Sequence, residues 1–305
     1  MFLPYRTDLE FNRFPVMTFV VCALCIFVFV RQEHSDAQVL DSAARYCQQD
    51  QPRSFWVTMK KIAGDAAIQA CPTILAKIYT SPHPDKIIDA LAKHALPWDL
   101  MSAERSRERT ADQLNTAFDE FKENVKPSLT AELMYDPSTY NVWRMITAAF
   151  AHGSWSHIIG NLFFFYAFAT TVEIIIGSLG FSIMIVGLAI GTHVCYSITQ
   201  HLVHSAVPTL GLSGVVMGVI GLFVYLAPAA RIRCFFWLLV FWRVLRIPAW
   251  LLATWYVGWD VYNLTHGDGS SHINLVAHVS GAALGLLAGL VFFRSRKEWV
   301  REQLA

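Results

Sequence analysis

Apolar residues in this chain come in long continuous runs, not in short alternation. The runs cover about 15–31, 156–177, 181–202, 208–229, 247–263 and 271–293, most of them near the ~20 residues with which a helix crosses ~30 Å of hydrocarbon. The pattern predicts six membrane-spanning helices. The shortest run, Pro15 to Val30, has the length of a buried core helix or a signal-peptide core. It lacks an A-x-A-like cleavage site and is preceded by Asp8 and Glu10, so it reads as a retained first helix.

Between the first two runs lies a polar stretch, about Gln32 to Tyr140. Its apolar residues recur at helical spacing, as at Ala67, Ile68, Ile74, Leu75 and Ile78. Pro82, Pro84 and Pro97 divide it into several helices, and Thr110 to Lys122 forms one amphipathic helix with Leu114, Phe118 and Phe121 on a face. A loosely ordered helical insertion is the alternative. With no catalytic motif in the stretch, its candidate roles are substrate capture, partner binding and structural capping. The expected fold is all-α: a polytopic membrane bundle of six helices with a helical insertion between helices one and two. The expected divisions are 1–31 (N-terminus and first helix), 32–140 (insertion), 141–293 (five-helix core) and 294–305 (tail).

Basic residues near the spans orient the chain, because short cytoplasmic loops are enriched in Lys and Arg. Arg6 and Arg13 precede the first run, Arg231 and Arg233 follow the fourth, and Arg294, Arg296, Lys297 and Arg301 follow the sixth. The opposite loops, Val203 to Leu210 and Asn263 to Ile273, contain neither Lys nor Arg. Both termini are therefore expected in the cytoplasm and the insertion outside it, in a bacterial inner membrane. Arg243 and Arg246, before Pro248, read as a basic helix at the cytoplasmic interface with its arginines snorkelling.

Composition agrees with a membrane protein. Of 305 residues 54% are hydrophobic and only 15% charged, against about 25% charged in soluble domains. The net charge of +1 averages a basic edge with an acidic insertion. No nucleotide-binding fingerprint, nucleic-acid patch or H-E-x-x-H zinc-protease motif occurs, and no cofactor or metal is implied. Cys47 and Cys71 are the two cysteines of the insertion, where an oxidising compartment would permit a disulfide. Cys22 and Cys25 form a C-x-x-C inside the first run, where they read as packing residues.

Chemistry-bearing residues gather on three runs. Gly211-Leu212-Ser213-Gly214 opens the fourth, placing a serine where free backbone N–H groups of a helix start could stabilise an oxyanion. The flanking glycines would let a substrate backbone approach, though small-residue runs are also packing surfaces. On the sixth, His278 precedes Gly281, Gly285 and Gly289, a glycine ridge matching Gly214 and Gly218 of the fourth. Backbone-close packing of the two would bring His278 to Ser213 as a general base. His157 and Asn161 share one face of the second run, with His152 just before, and suit either oxyanion donors or an interhelical hydrogen-bonded pair.

Taken together, Asn141-Val142-Trp143-Arg144 through His152, then His157 and Asn161, Gly211-Leu212-Ser213-Gly214, and Ala277-His278 through Gly281 and Gly285 resemble a rhomboid intramembrane serine protease of the six-helix bacterial type. The resemblance covers about Asn141 to Phe293. It implies a Ser213–His278 dyad cleaving transmembrane segments of single-span or other membrane proteins. It also implies that His157 and Asn161, with the Ser213 backbone N–H, form an oxyanion hole, and structural roles for Trp143, Arg144 and Glu173; His152, Gly211 and Gly214 join the first group, and Gly281 and Gly285 the second, on the spacing described above. Two departures stand out: Met217 where many relatives carry an aromatic that packs on the histidine, and the long 32–140 insertion. The rival readings are a non-catalytic rhomboid-like protein that binds or dislocates membrane clients, and a transporter whose pathway is lined by His157, Asn161, Glu173 and His278.

Overall fold

The computed structural model of the chain describes residues 2–8, 14–81, 83–238, 241–266 and 274–304; Glu10, Arg13, Pro82 and Ile273 lie outside this set. Strand β1 (Phe2–Thr7) and helix α1 (Val16–Gln48) come first. Five helices follow: α2 (Arg53–Ala63), α3 (Ala67–Thr80), α4 (Pro84–His94), α5 (Ala103–Glu123) and α6 (Leu129–Leu133). Then come α7 (Val142–Phe150), α8 (Trp155–Ile176), α9 (Ser178–Leu202), α10 (Ser213–Leu226), β2 (Arg231–Leu238), β3 (Phe241–Pro248), α11 (Ala249–His266), α12 (Leu275–Phe292) and α13 (Arg294–Leu304). The chain forms two compact units: Val30–Glu132, and Met1–Phe29 together with Leu133–Ala305.

In the second of these units, apolar helices occupy all six runs. Four of them, α1, α8, α9 and α12, are long and apolar enough to cross a membrane. The chain is an integral membrane protein. Helix α1 continues past the expected end at residue 31 and reaches Gln48. Helix α10 is shorter than its run, 14 residues, of which 12 are buried. Enclosed by other helices, it can give way to loop at its N-terminal end, because irregular backbone at depth is tolerated where protein satisfies it. Thr209 exchanges backbone hydrogen bonds with Tyr135, and the Gly211 N–H donates to the Ala148 carbonyl at 2.8 Å.

The glycine ridge holds the core together. A Cβ on Gly281 would run into the Gly214 carbonyl, one on Gly285 into the Gly218 carbonyl, and one on Gly221 into Ala282 backbone. Helices α10 and α12 therefore touch backbone to backbone, as the glycine spacing predicts. At the opposite end from Ser213, buried Glu173 near the C-terminus of α8 accepts hydrogen bonds from the Met17 and Thr18 backbone N–H groups, at 2.8 and 2.7 Å. These are orphan donors of the first turn of α1, so the carboxylate caps that helix and meets its dipole. The Ser178 hydroxyl, at the start of α9, donates to the same carboxylate at 2.6 Å. One acidic side chain thus joins three helices.

One expectation is corrected. Arg243 and Arg246 lie on β3 of a three-stranded antiparallel sheet ordered β1-β2-β3, not on an interfacial helix. The alternation of Arg231, Ile232, Arg233 and Cys234 has the period of a strand, and it buries Ile232 and Cys234 while turning the arginines outward. Asp8 supports both strands, accepting from Arg233 Nε at 2.6 Å and lying 4.0 Å from Arg246 Nε.

The unit Val30–Glu132 is helical. Met59, Leu75, Ile78, Leu114 and Phe121 form its core, and α5 buries Leu114, Phe118 and Phe121 on one face, as the sequence predicts. Cys47 at the end of α1 is disulfide-bonded to Cys71 of α3. Cys71→Ser is expected to destabilise this unit by about 3 kcal/mol. Protease cutting within residues 30–132 of the full-length protein in lipid should speed up accordingly, and an unchanged rate would mean that the bridge contributes nothing.

Candidate active site

Ser213 is the first residue of α10, so its backbone N–H has no partner within the helix. The loop before it is pinned on three sides: Thr209 to Tyr135 and Gly211 to Ala148 through backbone, and Thr209 Oγ1 to the Asn274 amide at 3.1 Å. Gly211 has φ +122°, a conformation that side chains rarely adopt. A Cβ there would lie 2.7 Å from His157 Cε1 and 3.6 Å from Asn161 Nδ2. The loop ahead of the serine thus rests directly on the side chains of α8.

His157 sits in the first turn of α8, where the Ser154 hydroxyl caps its N–H, and Asn161 follows one turn later. The Asn161 amide nitrogen is buried and has no hydrogen-bond partner among the described residues. A buried donor left open costs about 1–3 kcal/mol. His152 is also buried, behind His157, with ring centroids 5.2 Å apart. Burial, with His157 beside it, pushes its pKa down to about 4 and keeps it neutral.

His278 lies in the first turn of α12, which Asn274 caps by accepting from the Ala277 N–H at 2.9 Å. Its Nδ1 is 2.9 Å from Oδ2 of Asp260 on α11. Ser213, His278, His157, Asn161, Met217 and Asp260 line one cavity of about 820 Å³. Ser213 and His278 make no hydrogen bond to each other among the described residues; in a free enzyme such bonds are often long and tighten only around substrate.

Fold and sequence thus bring Ser213, His278, His157 and Asn161 to one cavity. His152 does not line it, and Gly214 is turned away, its missing Cβ space filled by Thr192 and Ala277 at 3.2–3.3 Å. Gly214 serves helix packing rather than substrate approach, because Thr192 of α9 and Ala277 of α12 take up its open face. Trp143, 71% exposed, stands on α7, whose N-terminus Asn141 caps through the Arg144 N–H. Sequence reasoning passed over Asp260 and Asn274. Asp260 carried a usable signal, an acid inside an apolar run, the same criterion that singled out His278.

The molecule is a helical membrane protein that gathers a serine, an imidazole and an open amide donor around one cavity. The family model described as "Rhomboid domain" matches residues 139–295, just over half of the chain. The chain belongs to the rhomboid family. It is 29% identical over 158 residues to "RHOMBOID-like protein 12, mitochondrial" of Arabidopsis thaliana, covering 47% of this chain and 44% of that protein. It is 29% identical over 149 residues to "Rhomboid protein 1, mitochondrial" of Saccharomyces cerevisiae, covering 48% and 40%. "Rhomboid-like protein 11, chloroplastic" of Arabidopsis thaliana is 26% identical over 153 residues, covering 48% and 50%. The chain thus spans half or less of the length of these relatives.

Proposed function

We propose that the chain is an intramembrane serine endopeptidase that cleaves transmembrane segments of membrane proteins, with Ser213 as nucleophile and His278 as base. The observation that carries this reading is the convergence on one cavity of Ser213, His278 and the open, buried Asn161 amide. Ser213 Oγ attacks the scissile carbonyl as its proton passes to His278. The oxyanion is held by the Ser213 N–H, the Asn161 amide and His157. The imidazolium then returns the proton to the leaving amine, and water admitted to the cavity hydrolyses the acyl-enzyme.

The basic residues after α10 and after α12 support cytoplasmic termini with the cavity on the opposite side, and the Cys47–Cys71 bridge favours an oxidising compartment for the insertion. A bacterial plasma membrane is the compartment proposed. Purified protein in lipid, incubated with a fluorophosphonate probe and a model single-span substrate, is expected to be labelled at Ser213 and to cleave, with Ser213→Ala as the blank. Client binding without labelling or cleavage would favour the non-catalytic rhomboid-like reading and remove the protease one.

A further inference from the structure

We propose that Asp260 is a positioning residue for His278, so that the Ser213–His278 pair works with its imidazole oriented by a carboxylate. The inference rests on the endopeptidase reading above. It starts from the 2.9 Å contact between Asp260 Oδ2 and His278 Nδ1, two side chains that are only 14% and 15% exposed. A carboxylate inside an apolar helix, between Trp259 and Val261, is costly and calls for a partner. Among the described residues its hydrogen-bond partner is His278 alone.

The chemistry of the contact is directional. An ionised carboxylate only accepts, so the proton of the neutral imidazole must sit on Nδ1, and Nε2 keeps its lone pair. Helix α12 packs against both α11 and α10. With Nδ1 committed to α11, Nε2 is the nitrogen left for Ser213 on α10. When Ser213 attacks, its O–H bond breaks and the proton moves to Nε2 while the Oγ–carbon bond forms. The imidazolium then faces the Asp260 carboxylate, which stabilises it without taking a proton. When the C–N bond breaks, that proton leaves with the amine and the original tautomer returns. Met217, which shares the cavity, offers only a thioether, a soft contact that cannot choose between tautomers. The hydrogen bond to Asp260 is what fixes the ring.

Asp260→Asn tests this, because the amide is isosteric but can donate to Nδ1 and leave Nε2 protonated toward Ser213. With wild-type protein that labels and cleaves at Ser213, Asp260→Asn should lower kcat by about 100-fold or more. KM and the thermal midpoint should stay close to wild type. Asp260→Glu, which keeps the charge on a longer arm, should recover at least about tenfold of that loss. Wild-type rates in Asp260→Asn, equal rates in the Asn and Glu variants, or a loss of kcat that only follows a fall in thermal midpoint would overturn the positioning role. A wild-type protein that neither labels nor cleaves would instead sink the endopeptidase reading on which it rests.

Discussion

Alanine at Gly285 is expected to unseat α12 from α10 and to take the candidate active site with it. The added Cβ would meet the Gly218 carbonyl oxygen, a backbone atom that cannot turn aside. Alanine favours a helix by about 1 kcal/mol over glycine, whereas overpacking costs typically 1–3 kcal/mol and more where nothing can move. Here the helices can accommodate the methyl only by separating along their shared length, so the clash wins. His278 and Ser213 stand on these two helices, so kcat should fall together with the thermal midpoint. Gly289→Ala should also destabilise, since its Cβ would lie 2.9 Å from Tyr225 Cβ, an atom that side-chain rotation does not move. Gly187→Ala on α9, with open space at the Cβ position, should be neutral or slightly stabilising. If Gly285→Ala melts and cleaves like Gly187→Ala, the backbone contact between α10 and α12 is not what holds the core.

Asn161→Ala is the second large effect. Its amide nitrogen is buried beside the loop that carries Ser213 and has no partner among the described residues. Removing it relieves an open donor in the free protein and, under the proposed endopeptidase function, deprives the oxyanion of one hydrogen bond in the transition state. The substitution should therefore be neutral or stabilising in thermal unfolding, yet lower kcat by about 10²–10³-fold with little change in KM. A loss confined to KM would place Asn161 in substrate binding. Unchanged kinetics would remove it from the site.

The glycine ridge and the Asn161 donor differ in how far local spacing reveals them. The glycine ridge could be read in the sequence, because a spacing of four puts small residues on one helical face whatever surrounds it. Asn161 and His157 could be placed together for the same reason. That the pair meets Gly211 was not readable, since it depends on how the loop from Val203 to Leu212 folds back between helices. The sheet was hidden by the arginines: Arg243 and Arg246 have the same composition on an interfacial helix as on a strand, and only pairing with β1 and β2 decides between them. Gly214 looked open to substrate because a sequence does not show which side of a helix its neighbours cover.

Local spacing and run length were enough to place helices in the apolar runs and to order the helices that carry Ser213, His278 and Asn161. Only the packed helices show that Asp260 faces His278, that Gly214 faces α9 and α12, that α10 is enclosed by its neighbours and that Glu173 caps α1. A continuous apolar run has no polar face to mark its orientation, so which side meets lipid, protein or cavity is set only when the helices pack against one another.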